Sequence, residues 1–373
     1  MGGCVGMKGL LRGILAVLAI PSATFAQIRE PEAAPWIEYG PFAERNQFLF
    51  NLLFLAFPGS GGDLLEPGER RILLSQVYAN TFVGSPSFRS DPASSSGARQ
   101  RLTPSQVAAE QAKRPEESLF FVDTEQARTS LLIRLGVSGR FETALEFPFL
   151  SYQGGAFDGS IEAYHNNLNI TNGGREFYER NRTQIALTLG GDSLFAEGSP
   201  ARFEPGDVSL FGRLSVLRKP RASLAMALGL KFPTGDPERL AGSGGTDLGV
   251  DLEGTLREGR QRLYFATSWV RAGDWSLFPR FDPADPKSLL VGYEFAPKDS
   301  YSWIIQVETQ TTVFRGRAGS DLSGLTTEVL AGARWNRPGF WFIEAALIEN
   351  LFQQNNGIDI GARAGAGMRL GRR

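Results

Sequence analysis

The chain has 373 residues, with 39 basic and 40 acidic side chains, a formal charge of −1, one cysteine and one histidine. That balance gives no electrostatic reason to bind nucleic acid, and one cysteine with one histidine excludes a disulfide framework and thiolate zinc chemistry. Neither a cofactor nor a metal is expected. The 44 glycines and 27 phenylalanines suit strands, tight turns and lipid-facing rings.

In chain order, Lys8 and Arg12 precede the apolar run "GILAVLAI", Pro21 breaks it, and the small-residue site "ATFA" ends at Ala26. This is the layout of a cleaved signal peptide over residues 1–26, which would export the chain and carry Cys4 away. The run is too short for a membrane helix, which needs about 20 apolar residues. Residues 27–69 follow, with "GPFAERNQFLFNLLFLAFPGSGGDLLEPGER". Their run 47–57 is apolar on both faces and fits no wall strand with a wet side. It is expected to plug a lumen or to lie on the periplasmic side against the base of a barrel.

From residue 70 onward the pattern has period two. In "SYSWIIQVETQTTVF", residues 300–314, Tyr301, Trp303, Ile305 and Val307 alternate with Ser302, Gln306, Glu308 and Gln310. In 247–256, Leu248, Val250, Leu252 and Leu256 oppose Asp247, Asp251, Glu253 and Thr255, and in 222–232 Leu224, Met226, Leu228, Leu230 and Phe232 oppose small residues and Lys231. Further segments fall at about 70–83, 119–137, 141–152, 206–217, 261–272, 287–296, 325–336, 339–349 and 358–370, which makes twelve strands; adding 47–57 and 183–190 gives a rival count of fourteen. Short turns near 138, 219, 257, 297 and 337 alternate with long links, among them 84–118 and 153–205. This segregation predicts an all-β, antiparallel, up-and-down transmembrane β-barrel over 70–373, with short periplasmic turns and long extracellular loops, in the outer membrane of a Gram-negative bacterium. The partners this implies are outer-membrane lipid, periplasmic chaperones and the barrel-assembly machinery.

Aromatic residues gather beside the short turns (Trp335, Trp341, Tyr293, Phe295, Tyr301, Trp303, Tyr264) and, more thinly, near the long loops (Phe149, Tyr152, Phe232, Trp269, Phe314), which suggests two interfacial girdles. The polar faces carry both signs of charge: Arg134, Glu142, Glu146, Arg213, Lys231, Asp251, Glu253, Glu308, Arg334, Glu344 and Arg363 are expected in the lumen. Mixed charge that can pair across a small lumen argues for a narrow or plugged barrel over a wide pore selective for one sign of ion.

The only histidine, His165, lies in "QGGAFDGSIEAYHNNLNITNGGRE". Phe157, Ile161, Tyr164 and Leu168 form a helical stripe there, bracketed by glycine pairs, and the segment is expected to cover the mouth or fold inward. His165 would hydrogen-bond Asp158 or Glu162 and steady the loop. The catalytic alternative is an outer-membrane hydrolase of lipase type with His165 as base, Ser151 or Ser160 as nucleophile and Asp158 as orienting carboxylate. Its spacing is poor, and no G-x-S-x-G elbow occurs.

The succession "GPFAERNQFLFNLLFL", "VSGRFETALEFPFLSYQGGAFDGSIEAYHNNLNITNGGRE" and "LKFPTGD…GSGGTD" resembles the bacterial outer-membrane proteins grouped as domain of unknown function 3187. Its most specific part is matched by Gly154, Gly155, Asp158, Ile161, His165, Gly174 and Arg175, a loop signature and possible gate. The "KFPTGD" segment is also similar to hydrophobic-compound uptake barrels related to phenol degradation. The resemblance implies an exported barrel with no assigned activity. The residues themselves favour a non-enzyme: a narrow or gated channel for passive uptake of small solutes, apolar ones among them, with a structural or adhesive barrel as the other alternative.

Overall fold

The computed structural model describes residues 36–89, 99–167, 169, 171–315, 322–351 and 356–371. The expected signal peptide lies outside them. In chain order the strands are β1 (Arg70–Gly84), β2 (Phe120–Ser138), β3 (Phe141–Gln153), β4 (Gln184–Leu189), β5 (Asp192–Glu197), β6 (Glu204–Pro205), β7 (Ser209–Lys219), β8 (Ala222–Lys231), β9 (Asp247–Glu258), β10 (Gln261–Arg271), β11 (Lys287–Lys298), β12 (Tyr301–Thr311), β13 (Leu325–Arg337), β14 (Trp341–Asn350) and β15 (Ile360–Leu370).

Among the described residues twelve of these make the wall: β1 to β3 and β7 to β15, each antiparallel to its neighbours. β1 pairs with β15 from Arg70↔Leu370 to Asn80↔Ile360, so the sheet closes on itself and leaves no edge. The rival fourteenth and thirteenth strands are not wall. Residues 47–57 contain only a short 3-10 turn, Asn51–Leu53, and β4 pairs with the upper end of β2 and with β5. The two-to-three-residue turns at 139–140, 220–221, 259–260, 299–300 and 338–340 share one end of the barrel, the expected periplasmic end, with the start of β1 and the finish of β15. The long links sit at the other end.

Alternation sets the two faces. Inward positions hold charges and small residues together with buried apolar side chains such as Leu73, Leu132, Phe211, Ile304 and Phe342. Outward positions leave Leu214, Met226, Leu228, Val250, Leu252, Val291, Ile305 and Leu347 uncovered. A surface so apolar around a charged interior is the reverse of a water-soluble sandwich, and it suits a bilayer. Trp303, Trp335, Trp341, Tyr293 and Phe295 are outward and exposed near the short turns. The girdle assignment needs three corrections: Tyr264, Tyr152 and Phe314 are buried inside. Tyr264 and Tyr152 occupy inward registers, and Tyr264 donates to Glu294 at 2.5 Å while Tyr152 donates to the Leu240 carbonyl at 2.8 Å. Phe314 lies beyond the end of β12, where the strand's alternation no longer governs its side chain, and joins the apolar interior of the mouth.

Two helices of ten residues stand among the long links. α1 (Pro104–Lys113) starts at a capping box in which Thr103 and Gln106 satisfy each other's backbone amides. α2 (Asp158–Asn167) belongs to the long link after β3.

Candidate functional site

Residues 36–69 run inside the barrel as an ascending leg, an apex and a descending leg. On the way up, the Glu38 amide meets Asn336 at 3.0 Å near the short-turn end, the Phe42 amide meets Gln306 at 2.8 Å half-way, and Asn46 meets Glu328 at 2.9 Å and Thr326 at 2.7 Å near the long-loop end. On the way down, the Leu55 amide donates to Asp247 at 2.6 Å, Gly62 to Thr255 at 3.0 Å and Leu65 to Glu142 at 2.8 Å. The legs touch where the Gly59 amide donates to the Glu44 carbonyl at 3.0 Å. A Cβ at Gly59 would lie 2.5 Å from the Phe42 carbonyl oxygen, so only glycine allows this approach.

The apex is apolar. Phe48, Leu49, Phe50, Leu52, Leu53 and Phe54 are buried among Val83, Phe120, Val122, Leu150, Tyr152, Ile185, Leu187, Trp275, Phe278, Val313 and Phe314 from the upper wall and the loops. Arg45 closes the turn by donating to the carbonyls of Asn51, at 2.9 Å, and of Phe54. This explains why residues 47–57 are apolar on every side: they are surrounded by side chains and face no lumenal water.

The lower and middle lumen is held by charge. Glu344 pairs with Arg334 and with Arg363, both at 2.8 Å; Arg363 reaches Glu44 of the ascending leg at 3.1 Å, and Arg128 lies between Glu44 at 3.5 Å and Glu146 at 2.5 Å. The Phe42 ring sits under both Arg363 and Arg334. Towards the base, Arg213 bridges Glu142 at 2.7 Å and Glu253 while donating to the Gly61 carbonyl at 2.6 Å, and Arg134 joins Glu142 at 2.6 Å. Near the long-loop end Lys231 holds Asp207 at 2.5 Å and Asp247 at 3.4 Å. Asp251 stands on the inner face of β9 two residues before Glu253, and Glu308 is registered opposite Glu328.

All eleven charges read from the polar faces thus point inward. The same parity would have found Arg71, Arg128, Glu294 and Glu328. Glu44, Arg45 and Asn46 were missed, because the inner segment carries no period that marks a lumenal residue.

Below the legs a cavity of about 660 Å³ opens at the short-turn end, bordered by Tyr39, Asp63, Arg71, Arg134, Arg218 and Arg257. A second, smaller space of about 40 Å³ lies between the legs and Tyr264, room for a few water molecules at most.

The loop signature is elsewhere. Odd-numbered outward positions of β2 and even-numbered outward positions of β1 place Glu125, Asp123, Tyr78, Asn80 and Phe82 on the outside of the wall, above the apolar band. The link after β3 divides. Its later part turns Ile185, Leu187 and Ala201 into the mouth, while the described residues of 154–182 pack against that outer surface. The expectation that α2 covers the mouth is therefore corrected. Gly154 and Gly155 open the segment; the Glu125 carboxylate accepts from the Ala156 and Phe157 amides at 3.0 and 2.7 Å, and a Cβ on Gly155, at φ +66°, would fall within 2 Å of it. Arg175 joins Asp158, Asp359 and, at 2.7 Å, Asn80; Gly174, at φ +98°, lies against the backbone of Arg89. Ile161 is buried.

His165 makes neither expected hydrogen bond. Asp158 is held by Arg175 and Glu162 by Arg99 and Arg180, and Nδ1 of His165 is buried with no hydrogen-bond partner among the described residues. The hydrolase constellation is not assembled: Asp158 belongs to Arg175, Ser151 accepts from the Phe203 amide at 2.8 Å, and Ser160 is exposed. Burial alone would raise the Glu162 carboxyl, yet the two guanidiniums hold it down at about 2.

A comparison with curated proteins finds no match. Among solved structures the chain is similar to an outer membrane channel of the COG4313 group from Pseudomonas putida F1, at 11% identity and a TM-score of 0.51, covering 83% of this chain and 97% of that one. It is also similar to a FadL homologue from Pseudomonas aeruginosa, at 11% identity and a TM-score of 0.36, over 90% of this chain and 98% of that one. The first likeness agrees with the closed barrel described above and shows that the fold is that of an outer-membrane β-barrel. A family model matches residues 17–370, nearly the whole chain, and the protein belongs to the family described as protein of unknown function DUF3187.

Proposed function

We propose that the protein is an outer-membrane channel closed by its own segment 36–69, and that it admits small apolar solutes when the apex of that segment yields. One observation carries this reading: the segment is divided along its length. Its legs combine buried ion pairs and hydrogen bonds with the apolar contacts of Phe42 and Phe57, while its apex Phe48–Phe54 meets the upper wall and loops chiefly through apolar contacts, with Lys231 over the Phe54 ring, and is tied back to its own segment by Arg45 and Asn46. An apolar solute can replace the contacts the apex makes with the mouth. A polar solute cannot, because exposing those rings to water is unfavourable by about 25 cal/mol per Å². Export through residues 1–26 and closure by a plug are parts of the same reading.

The test is solute flux in proteoliposomes, comparing the full barrel with a variant lacking residues 42–62. The intact protein should show little ion conductance and the deletion variant a large, stable one. A folded deletion variant without conductance or solute flux would sink the channel reading.

A further inference from the structure

The outward residues of β1 climb from Ile72 and Leu74, which is 53% exposed, to Gln76, Tyr78 and Asn80. Those of β2 run from Leu135, Ile133 and Leu131 to Thr129 and Glu125, and Gln76 bonds Thr129 at 3.1 Å across the two strands. On β3 the apolar Leu145, Phe147 and Phe149 give way to Ser151 and Gln153. The apolar outward band therefore ends within one outward pair of the same register on three adjacent strands.

α2 is fixed immediately above that line. Gln153 donates to the Tyr78 hydroxyl at 3.1 Å, Glu125 receives the amides of Ala156 and Phe157, and Arg175 ties Asp158 to Asn80. The helix buries Asp158, Ile161 and Glu162 against the wall and the rest of the loop. Phe157 and Tyr164, seven residues apart and so on one flank, stay 51% and 54% exposed. Phe157 lies edge-on to Tyr78 with ring centroids 5.9 Å apart, which puts this flank on the membrane side of the helix.

We infer that α2 is an interfacial helix, with Phe157 and Tyr164 seated in the headgroup layer of the outer leaflet. The site stands just above the end of the barrel's lipid surface, past a polar rim of Gln76, Thr129 and Ser151, and aromatic rings with one apolar and one wet side prefer this layer to water or hydrocarbon. The glycines and the Arg175 cluster then have a role: they hold the helix at membrane height. Lipid is the partner.

The test attaches an environment-sensitive fluorophore to Tyr164→Cys in the full barrel, with Cys4→Ser so that no second thiol competes. The protein is folded into phosphatidylcholine vesicles with or without phosphatidylcholine carrying a nitroxide near the headgroup. A label at Ala112→Cys, on exposed α1, is the aqueous control. We expect at least threefold stronger nitroxide quenching and threefold weaker iodide quenching at 164 than at 112. Equal quenching at the two positions overturns the inference. So does a signal at 164 that follows the protein-to-lipid ratio and ignores the nitroxide, which would assign the flank to a second copy. A label-free arm uses Phe157→Ser with Tyr164→Ser: the barrel should keep its heat-modifiable migration, while the 154–182 segment is cleaved about tenfold faster in vesicles. Cleavage at the unaltered rate also overturns the inference.

Discussion

Glu44 offers the sharpest handle on the inner segment. With Glu38, which pairs with Arg71 at 2.7 Å, it is one of two carboxylates by which the ascending leg engages the wall, meeting Arg363 at 3.1 Å and Arg128 at 3.5 Å in full burial. Removing one partner of a buried pair costs about 3–5 kcal/mol, because a charge is left without compensation. Here Arg363 keeps Glu344 at 2.8 Å and Arg128 keeps Glu146 at 2.5 Å, so the loss in Glu44→Ala belongs at the low end, about 3 kcal/mol. At 1.4 kcal/mol per tenfold, the ratio of displaced to seated segment rises roughly 100-fold. Single-channel recording in planar bilayers measures this as open probability. Glu44→Gln, which keeps a hydrogen-bonding side chain of the same shape, should fall between. If Glu44→Ala folds to a heat-modifiable barrel and stays as closed as the parent while the 42–62 deletion conducts, the ion pairs do not hold the segment and the reasoning fails.

Gly155→Ala should release the outer segment without unfolding the wall, since its Cβ would meet the Glu125 carboxylate and its φ is +66°. About 1–3 kcal/mol of local stability is at stake, read as faster protease cleavage near residue 160 with unchanged barrel migration. The docking of α2 should depend on acid. Glu162 is held at about 2, below its ordinary value of about 4.3, so its contribution is complete above that ordinary value and is lost as pH falls towards 2. Hydrogen exchange across 154–182 should rise over that interval, and Glu162→Gln should remove the dependence. Met226→Arg, outward in mid-band, should destabilise folding into phosphatidylcholine vesicles by about 2–4 kcal/mol in urea titration, whereas the exposed face of a soluble barrel would tolerate it.

The wall was legible because a strand writes its two environments into every second residue: Leu248, Val250 and Leu252 against Asp247, Asp251 and Glu253 need no neighbour to be understood. The same rule, applied strictly, would have sent Tyr264 inward. Nearness to the turn at 257–260 marks a girdle height along the strand, but it cannot tell the two faces of a strand apart. The inner segment obeys no period. Glu38 meets Asn336 across 298 residues and Glu44 meets Arg363 across 319, and such contacts leave no local trace. The loop signature misled for a related reason. Its stripe Phe157, Ile161 and Tyr164 has helical spacing, but spacing shows only that one flank avoids water. A flank can do that against a protein core or at a lipid surface, and only Ile161 found the core.

The two halves of the lumen place different demands on anything that would pass. Below, Glu142, Arg213, Glu253, Arg334, Glu344 and Arg363 are paired with one another, so an ion entering between them must displace a partner already in contact. An apolar molecule entering there could meet Phe42, Phe57 and Phe342, but it would desolvate charges that it cannot pair. Above, the rings of Phe48, Phe50, Phe54, Trp275 and Phe314 meet at centroid distances of 5.5 to 6.0 Å, contacts that another apolar group can reproduce. Entry is therefore easier for an apolar solute than exit through the base. On the channel reading proposed above, displacement of the charged legs limits the rate, and substitutions there should alter turnover more than apparent affinity. Substitutions in the apex should do the opposite.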